Sequence, residues 1–453
     1  MKMFKVVIVM YVLLAVVVSV NSQPACTHYA VATGGTGSAC SLPVPCTIQT
    51  FINSASLATT PGNVLCLNAG TYTGQVDVPT TFAGAPGNPI WIRALNEGQV
   101  TFNQGGSGFA FRTQGSWGVL WGVNIYNGRG SNLLIRGSNW VVQRVVAGPT
   151  ASTGTEDNIV VAGSNNTIED SAAFGVGGKQ IAAGASQAGV TNNVIRRVWA
   201  VFNDDGDKVS PVGAMEQGYG QDTVTFENVL GTNNQVVNPS QEQGPFQTFR
   251  SDNSKVLGSI FYIGASDVAT ASEVFFALTD GGSAQGAGNY DPSDNNVFRH
   301  IVSFIHPSNA SFATTRALRL NYQGPGPHGS GNVLSDSVGV GGVGISCQSP
   351  DYTCTNVQYG TSLVNAIGAG KSIWTESNAG PGICKRYING VLTDEPLWPW
   401  PMNQRIIDFM TARGATPVDV TATMESLFGP IPAVCRSDAP VIPVTSKVRS
   451  GFQ

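Results

Sequence analysis

The sequence has little charge and no basic tract. Only 11% of its 453 residues are charged, and the formal net charge is −4. Nucleic-acid-binding proteins need a patch of lysine and arginine, so nucleic acid is not an expected partner. Cysteine is absent between Cys66 and Cys347, no C-x-x-C pair occurs, and the four histidines lack ligand spacing. These absences argue against a zinc site.

The chain begins with a segment typical of exported proteins. Lys2 and Lys5 precede an apolar run over residues 6–20, and small polar residues follow it. This arrangement predicts a secretory signal peptide over residues 1–22, with an apolar core too short to span a bilayer comfortably. No later stretch is typical of a membrane span. The mature chain is therefore expected to be secreted, with no membrane association after cleavage.

Eight cysteines in an exported chain are expected to form disulfides. They form an N-terminal and a C-terminal group, and each group allows three connectivities if it pairs internally. The groups are Cys26, Cys40, Cys46 and Cys66, and Cys347, Cys354, Cys384 and Cys435. This distribution predicts two cross-linked ends around a centre that is stable without disulfides.

The cysteine-free centre repeats one pattern, a polar turn residue followed by a short alternating apolar segment. Successive repeats start about 26 to 42 residues apart, and none contains a helix long enough for a leucine-rich, ankyrin or tetratricopeptide repeat. Short strands between Asn-rich turns are typical of a parallel β-solenoid, in which coils stack about 4.8 Å apart. The repeats start at Asn139, Asn165, Asn192, Asp222, Asn253, Asn295 and Gly331.

Two segments near the ends, residues 47–58 and 403–414, have apolar residues at helical spacing. A solenoid has open strand edges at both ends, which favour aggregation unless they are covered. We therefore expect helical caps at both ends. The predicted organisation is a signal peptide (1–22), an N-terminal cap with disulfides (23–88), a β-helix (89–346), and a C-terminal cap and tail with disulfides (347–453).

Three stretches near the N-terminus, "YAVATGGTGSAC", "PGNVLCLNAGTYTG" and "GAPGNPIWIRA", resemble the opening of secreted proteins of the pectate-lyase-like superfamily. The repeats continue this resemblance through about Ser346. It implies an all-β fold, a right-handed parallel β-helix. Members of the superfamily include lyases and hydrolases of acidic polysaccharides, esterases and non-catalytic surface proteins, so the fold does not define the activity.

The segment "FNDDGDKVS", residues 202–210, concentrates charge in this charge-poor chain. Asp204, Asp205 and Asp207 follow a predicted strand, and three neighbouring carboxylates suit calcium, which prefers six to eight oxygen ligands. The segment resembles the "DDG-x-D" element of calcium-dependent β-helix pectate lyases, although it lacks the spacer before the last Asp. The resemblance implies a calcium site at these three aspartates.

The chemistry that the resemblance implies is β-elimination on a uronic-acid polymer. A base removes the proton beside the sugar carboxylate, and a bound cation stabilises the developing charge. The candidate bases are Lys208, Lys255 and Arg250, since a lysine crowded by cations can lose its proton near neutral pH. At equal distance from the repeat starts, Lys179 and Asp267 are expected to lie next to the acidic segment, one coil before it and two coils after it. The predicted function is a secreted polysaccharide lyase with an acidic polysaccharide as its partner.

Two other interpretations use the same residues differently. A hydrolase would use paired carboxylates, but the G-H-G and R-I-K pieces of the polygalacturonase pattern are absent, so hydrolysis ranks below elimination. Aspartate and glycine are also favoured in turns, and the acidic segment then has no chemical role. In that case the protein is a non-catalytic structural or adhesive β-solenoid outside the cell, a role that self-association would fit.

Overall fold

The computed structural model describes residues 23–150, 157–175, 178–184, 189–203, 213–218, 221–235, 244–248, 251–265, 273–278, 293–321, 329–347, 352–375 and 383–437. Within these ranges the chain is dominated by short strands, and all strand pairs are parallel except one C-terminal hairpin. Helices occur only toward the two ends of the described chain. They are α1 (Ile48–Ile52), α2 (Leu363–Ile367), α3 (Asn403–Ala412) and α4 (Val420–Phe428), with a 3-10 turn at Ala433–Cys435.

The strands are numbered in chain order. The first twelve are β1 (His28–Ala30), β2 (Val64–Leu67), β3 (Gly70–Thr73), β4 (Val76–Val78), β5 (Ile90–Ala94), β6 (Val100–Asn103), β7 (Phe109–Thr113), β8 (Gly118–Trp121), β9 (Asn124–Tyr126), β10 (Ser131–Ile135), β11 (Val141–Gln143) and β12 (Val146–Ala147). The next twelve are β13 (Ile159–Val161), β14 (Thr167–Glu169), β15 (Ala172–Gly175), β16 (Lys179–Ala183), β17 (Val190–Thr191), β18 (Val194–Arg196), β19 (Trp199–Asn203), β20 (Gly213–Gln217), β21 (Gln221–Asp222), β22 (Thr225–Glu227), β23 (Leu230–Gln235) and β24 (Phe246–Thr248). The last are β25 (Lys255–Leu257), β26 (Ile260–Ile263), β27 (Glu273–Leu278), β28 (Val297–Arg299), β29 (Val302–Ile305), β30 (Arg316–Asn321), β31 (Asn332–Val340), β32 (Ile345–Cys347), β33 (Tyr352–Gly360), β34 (Lys385–Ile388) and β35 (Val391–Pro396).

The strands form two long sheets because the chain winds in stacked coils. In a typical coil, two consecutive strands such as β14 and β15 join sheet 1, and the next strand, β16, joins sheet 2. The following coil repeats this order, so that Ile168 pairs with Ile195 in sheet 1 and Ile181 pairs with Met215 in sheet 2. Among the described residues, sheet 1 has 21 strands and sheet 2 has 10. The predicted all-β parallel β-helix is confirmed.

The predicted repeat starts are left-handed turns. Asn139, Asn165 and Asn192 have φ of 61°, 59° and 58°, and Asn253 and Asn295 have φ of 53° and 56°. Asparagine adopts this conformation more readily than most residues with a Cβ, which explains its recurrence. In the other two repeats, the left-handed residues are Thr223, directly after the predicted start at Asp222, and Gly331.

A buried ladder of asparagine side chains follows these turns. The Oδ1 atom of Asn166 accepts from the backbone N–H of Trp140 at 2.8 Å. Further along, Asn296 accepts from the N–H of Ser254 at 2.9 Å, and Asn332 accepts from the N–H of Asn296 at 3.0 Å. These bonds satisfy turn N–H groups that would otherwise be buried without partners. The doubled asparagines of the sequence therefore combine a turn residue with a ladder residue.

The interior of the coils is packed with apolar side chains. The ring of Phe246 lies 5.2 Å from that of Phe226, 4.9 Å from Phe261 and 5.1 Å from Phe275. Aromatic contacts at these separations stabilise the stack beyond the burial of apolar area. The centre of the rod is therefore held together by packing between coils, as the absence of cysteine predicts.

The disulfides cross-link each end internally. The bonds are Cys26–Cys66, Cys40–Cys46, Cys347–Cys354 and Cys384–Cys435. The structure thus selects one of the three connectivities that the sequence allows for each group. All eight cysteines are paired.

The helices do not all lie where the sequence predicts them. The short α1 buries Ile48, Phe51 and Ile52 in the main core. The predicted C-terminal helix is present as α3, but α3 and α4 lie along the outer face of sheet 1 instead of covering an open end. Phe409 of α3 contacts Phe174 of β15, and Phe428 of α4 contacts Phe304 of β29.

The reason for this lateral position is the apolar outer face of sheet 1. Valine, phenylalanine and tryptophan side chains from many coils form a second core with the C-terminal segment. Burying this face stabilises the rod by about 25 cal/mol per Å² of apolar surface.

Among the described residues, no helix has the length and apolar character that a membrane crossing requires.

Candidate functional site

Most of the predicted site residues fall outside the described ranges. Asp204, Asp205, Asp207, Lys208 and Arg250 all do so. Along the chain, residues 204–212 connect β19 of sheet 1 to β20 of sheet 2. The metal and catalytic roles assigned to these five residues stay predictions.

Lys255 is the predicted base that the structure describes. It opens β25 of sheet 1, pairs with Thr225 and Val297, and is exposed. A Cβ added to Gly390 would lie 3.8 Å from its Nζ atom, so the lysine lies beside the hairpin of β34 and β35. The structure therefore places Lys255 on sheet 1, and its role as a base stays a prediction.

Lys179 is the lysine that lies beside the strand following the acidic segment. It opens β16 on sheet 2 and pairs in register with Gly213, the first residue of β20. Its Nζ atom lies 3.0 Å from Oε2 of Glu216, and the two side chains are only 7% and 10% exposed. Its backbone N–H donates to Oδ1 of Asp157 at 2.6 Å.

This ion pair belongs to a row of polar side chains along sheet 2. Gln247 of β24 donates to Oε2 of Glu216. Glu273 of β27 forms ion pairs with Arg316, at 3.6 Å, and with Arg319 of β30. We name this set the ionic row, and it consists of Lys179, Glu216, Gln247, Glu273, Arg316 and Arg319.

Sequence reasoning found only one member of the ionic row. The repeat phase marked Lys179, but Glu216, Glu273 and Arg319 were missed. Their signal is a charged residue within a short apolar strand, as in "GAMEQ" and "RALRL". Such residues converge only when strands from different coils are stacked in register.

The ionic row offers positive charge in a weakly solvated place. Charge interactions are stronger there than in bulk water, because little solvent screens them. The contact with Glu216 holds the side chain of Lys179 in place on sheet 2, so we consider Lys179 as a binding group for an anionic substrate. The guanidinium of Arg319 has the planar geometry that binds carboxylates in a bidentate manner.

The described carboxylates do not fit a calcium site. Within the part of the chain that the structure describes, no group of three or more His, Cys, Asp or Glu residues could hold a metal ion. Glu216 and Glu273 already contact cations of the ionic row. The donor set that suits calcium is that of Asp204, Asp205 and Asp207, and this site stays a prediction.

A second ionisable cluster lies under the C-terminal hairpin. Arg197 forms an ion pair with Asp170, and Nε of Arg196 lies 3.1 Å from Oε2 of Glu227. Glu227 also accepts from the backbone N–H of Asn389 at 3.1 Å. These contacts attach the hairpin to sheet 1, so we assign the cluster a structural role.

His300 in the same region makes stability dependent on pH. It lies against Tyr387, and burial lowers the pKa of His300 from 6.5 to about 4. Between these pH values the unfolded chain binds a proton at His300 that the folded chain does not. Stability should therefore fall as pH drops from 6.5 to 4, by about 1–2 kcal/mol after allowance for partial exposure.

Thermal unfolding at pH 7 and pH 4.5 tests this expectation. The matched variant is His300→Asn, because asparagine tolerates the φ of 53° at this position. The unfolding midpoint of the wild type should fall further than that of the variant. Equal decreases in the two proteins would contradict the proposed role of His300.

Comparisons with known proteins give similar structures but no matching family. No family model and no curated protein matches the chain. Among solved structures, it is similar to pectate lyase Pel9A, with 16% identity over 78% of this chain and 86% of that one and a TM-score of 0.46. It is also similar to an alginate lyase from Paenibacillus sp. str. FPU-7, with 15% identity, coverage of 72% and 100%, and a TM-score of 0.47.

The similar structures are not all lyases. A tailspike protein, Dettilon gp208, is similar to the same degree, with 12% identity, coverage of 71% and 63%, and a TM-score of 0.44. The evidence for the β-helix is the pair of long parallel sheets. Because one fold serves enzymes and other proteins, the activity has to be argued from the site.

Proposed function

We propose that this protein is an exported polysaccharide lyase that cleaves an acidic, uronic-acid polymer by β-elimination. The observation that carries the proposal is the ionic row on sheet 2. An anionic polymer needs countercharge, and Lys179, Arg316 and Arg319 lie along one sheet. Lys179 lies beside β20, the strand that follows the acidic segment, and the two arginines lie on β30, three strands further along. The four disulfides and the predicted signal peptide support export.

The proposed mechanism divides the work between the ionic row and the acidic segment. Lys179 binds the carboxylate of the reacting sugar and stabilises the negative charge that develops when the neighbouring proton leaves. Arg319 lies four strands away on sheet 2, about 19 Å, and binds a carboxylate further along the polymer. For a sugar bound at Lys179 the base that takes this proton is Lys208 or Arg250, because the third predicted base, Lys255, lies on sheet 1 and not on sheet 2. Calcium held by Asp204, Asp205 and Asp207 would supply further positive charge when bound.

A screen of acidic polymers with and without calcium tests the proposal. The full chain is incubated with pectate, alginate and a glycosaminoglycan, and the ultraviolet absorbance of an unsaturated uronide is followed. Absorbance should rise with time on one polymer. A chelator should abolish this rise, and added calcium should restore it. No rise on any polymer would exclude the lyase activity. A rise that persists in chelator would exclude the calcium requirement but not the lyase activity.

A non-catalytic extracellular solenoid is the second candidate function. It is favoured by the ion pairs within the ionic row, since Glu216 and Glu273 each contact a cation of the same row. A row that largely neutralises itself can serve the packing of the rod without any substrate. The polymer screen separates the two candidates, because a non-catalytic solenoid would leave every polymer uncleaved.

A further inference from the structure

We propose that the cleft between sheet 1 and α4 binds a neutral, hydroxyl-rich saccharide unit. The cleft has a volume of about 360 Å³ and is lined by Tyr262, His306, Asp419, Thr423 and Ser426, together with apolar residues. This volume lies within the range typical of small-molecule sites. The site belongs to the outer side of sheet 1, whereas the ionic row lies on sheet 2.

The hydroxyl of Tyr262 is the main hydrogen-bonding group that the cleft offers to a ligand. Tyr262 is only 6% exposed, and its ring stacks on Phe304 at 5.8 Å. Its hydroxyl has no hydrogen-bond partner among the described residues, and burial raises its pKa to about 12. The ring is buried, but the hydroxyl is not one of the enclosed polar atoms, so it opens into the cleft and its hydrogen-bond partner has to come from there. A ligand hydroxyl in the cleft would provide that partner.

The other polar groups surround the same space. Nδ1 of His306 accepts from the backbone N–H of Ser308 at 3.1 Å, which leaves Nε2 to donate toward a ligand. Thr423 and Ser426 are three residues apart on α4 and so project from one face of the helix. These groups offer both donors and acceptors, as a sugar hydroxyl requires.

The charge of the lining selects a neutral ligand. The residues that line the cleft include no lysine or arginine, and Asp419 is the one carboxylate among them. Oδ1 of Asp419 accepts a hydrogen bond from the backbone N–H of Ala422 at 2.8 Å, which orients the carboxylate. A uronic acid would meet this carboxylate without a countercharge. Apolar residues such as Val418 and Leu427 can contact the C–H face of a pyranose ring.

Titration of the full chain with saccharides tests this site. The probes are neutral gluco-, galacto-, manno- and xylo-oligosaccharides, with oligogalacturonate as the acidic comparison, followed by ligand-observed NMR. At least one neutral probe should bind with a millimolar or lower Kd, and oligogalacturonate should not compete for the cleft. Tyr262→Phe should weaken binding about fivefold, the effect of one lost hydrogen bond.

Two further variants make the result specific to the cleft. Ala422→Trp, at an exposed position of α4, should fill the cleft and abolish binding, whereas Tyr359→Phe, outside the cleft, should leave the affinity unchanged. The proposal is overturned if no neutral probe binds the wild type, or if Tyr262→Phe and Ala422→Trp both bind as the wild type does. Because binding is measured without cleavage, its outcome is independent of the lyase assay.

Discussion

Replacing Arg405 with methionine should lower the free energy of unfolding by about 3 kcal/mol and loosen α3 from sheet 1. Arg405 donates through Nη1 to Glu97 at 3.0 Å and to the carbonyl of Arg144 at 2.6 Å. Through Nη2 it donates to the carbonyl of Val123 and to Asn124, both at 2.7 Å. The guanidinium thus joins the C-terminal segment to three successive coils of the rod, at Glu97, at Val123 and Asn124, and at Arg144.

The cost of this substitution comes from the acceptors that it leaves behind. Burial lowers the pKa of Arg405 to about 10, which reflects how little water reaches the guanidinium. Without it, the two carbonyls and Asn124 lose a charged donor in a place where water cannot easily replace it. Glu97 keeps its ion pair with Arg144 at 2.8 Å, so the loss should lie near the lower end of that expected for a broken buried pair.

Thermal unfolding and hydrogen exchange measure the two parts of this prediction. The variant should unfold at a lower temperature, and the amides of α3 should exchange faster while those of sheet 2 change little. Gln404→Met, at an exposed position of the same helix, is the matched control and should alter stability by no more than about 0.5 kcal/mol. If Arg405→Met unfolds at the same temperature as this control, the anchoring role of Arg405 is wrong.

Replacing Lys179 with methionine should lower kcat/KM on the cleaved polymer by about 100-fold or more. In the proposed reaction, the ammonium stabilises negative charge that is larger in the transition state than in the substrate. Removing one such group from a preorganised site typically reduces kcat by this amount. The loss should therefore appear mainly in kcat, with a smaller change in KM.

Controls for this variant have to separate chemistry from folding. Lys179→Met alone leaves Glu216 buried without its cation, so a second protein carries Lys179→Met together with Glu216→Met. This pair of substitutions should keep the fold, as measured by circular dichroism, and remain inactive. A double variant that is folded and fully active would exclude Lys179 from the mechanism.

The variant Lys255→Met tests whether Lys255 is the base. Lys255 lies on sheet 1 and Lys179 on sheet 2, so the two substitutions disturb different faces of the rod. If the substrate binds at the ionic row, Lys255→Met should leave kcat/KM unchanged, because a base must lie within hydrogen-bond reach of the proton it removes. Loss of activity with a normal KM would instead indicate that the reacting sugar binds on sheet 1. Full activity would leave Lys208 and Arg250 as the candidate bases.

The coils could be predicted because their signals are local. An asparagine such as Asn165 favours a left-handed turn on its own, and the short apolar segment after it favours a strand wherever it lies. The repetition of these two signals was sufficient to predict a parallel solenoid. The grouping of the cysteines likewise predicted the cross-linked ends, but not which cysteines pair.

The ionic row and the position of α3 required the folded structure. Glu216 and Glu273 lie on different coils, and the chain between successive coils varies in length, so the sequence does not show which residues stack together. The α3 segment has apolar residues that could cover an end or a side with equal ease. Its position was decided by the wide apolar face of sheet 1 and by the buried acceptors that Arg405 satisfies.

The sequence by itself therefore determined the fold class, the turn positions and the segment that carries the densest charge, because each depends on residues close together in the chain. Only the tertiary structure decided the disulfide pairing, the lateral cover formed by α3 and α4, and the convergence of Lys179 with Glu216. These features depend on the register of stacked coils, which is set by packing and hydrogen bonding between residues distant in the sequence.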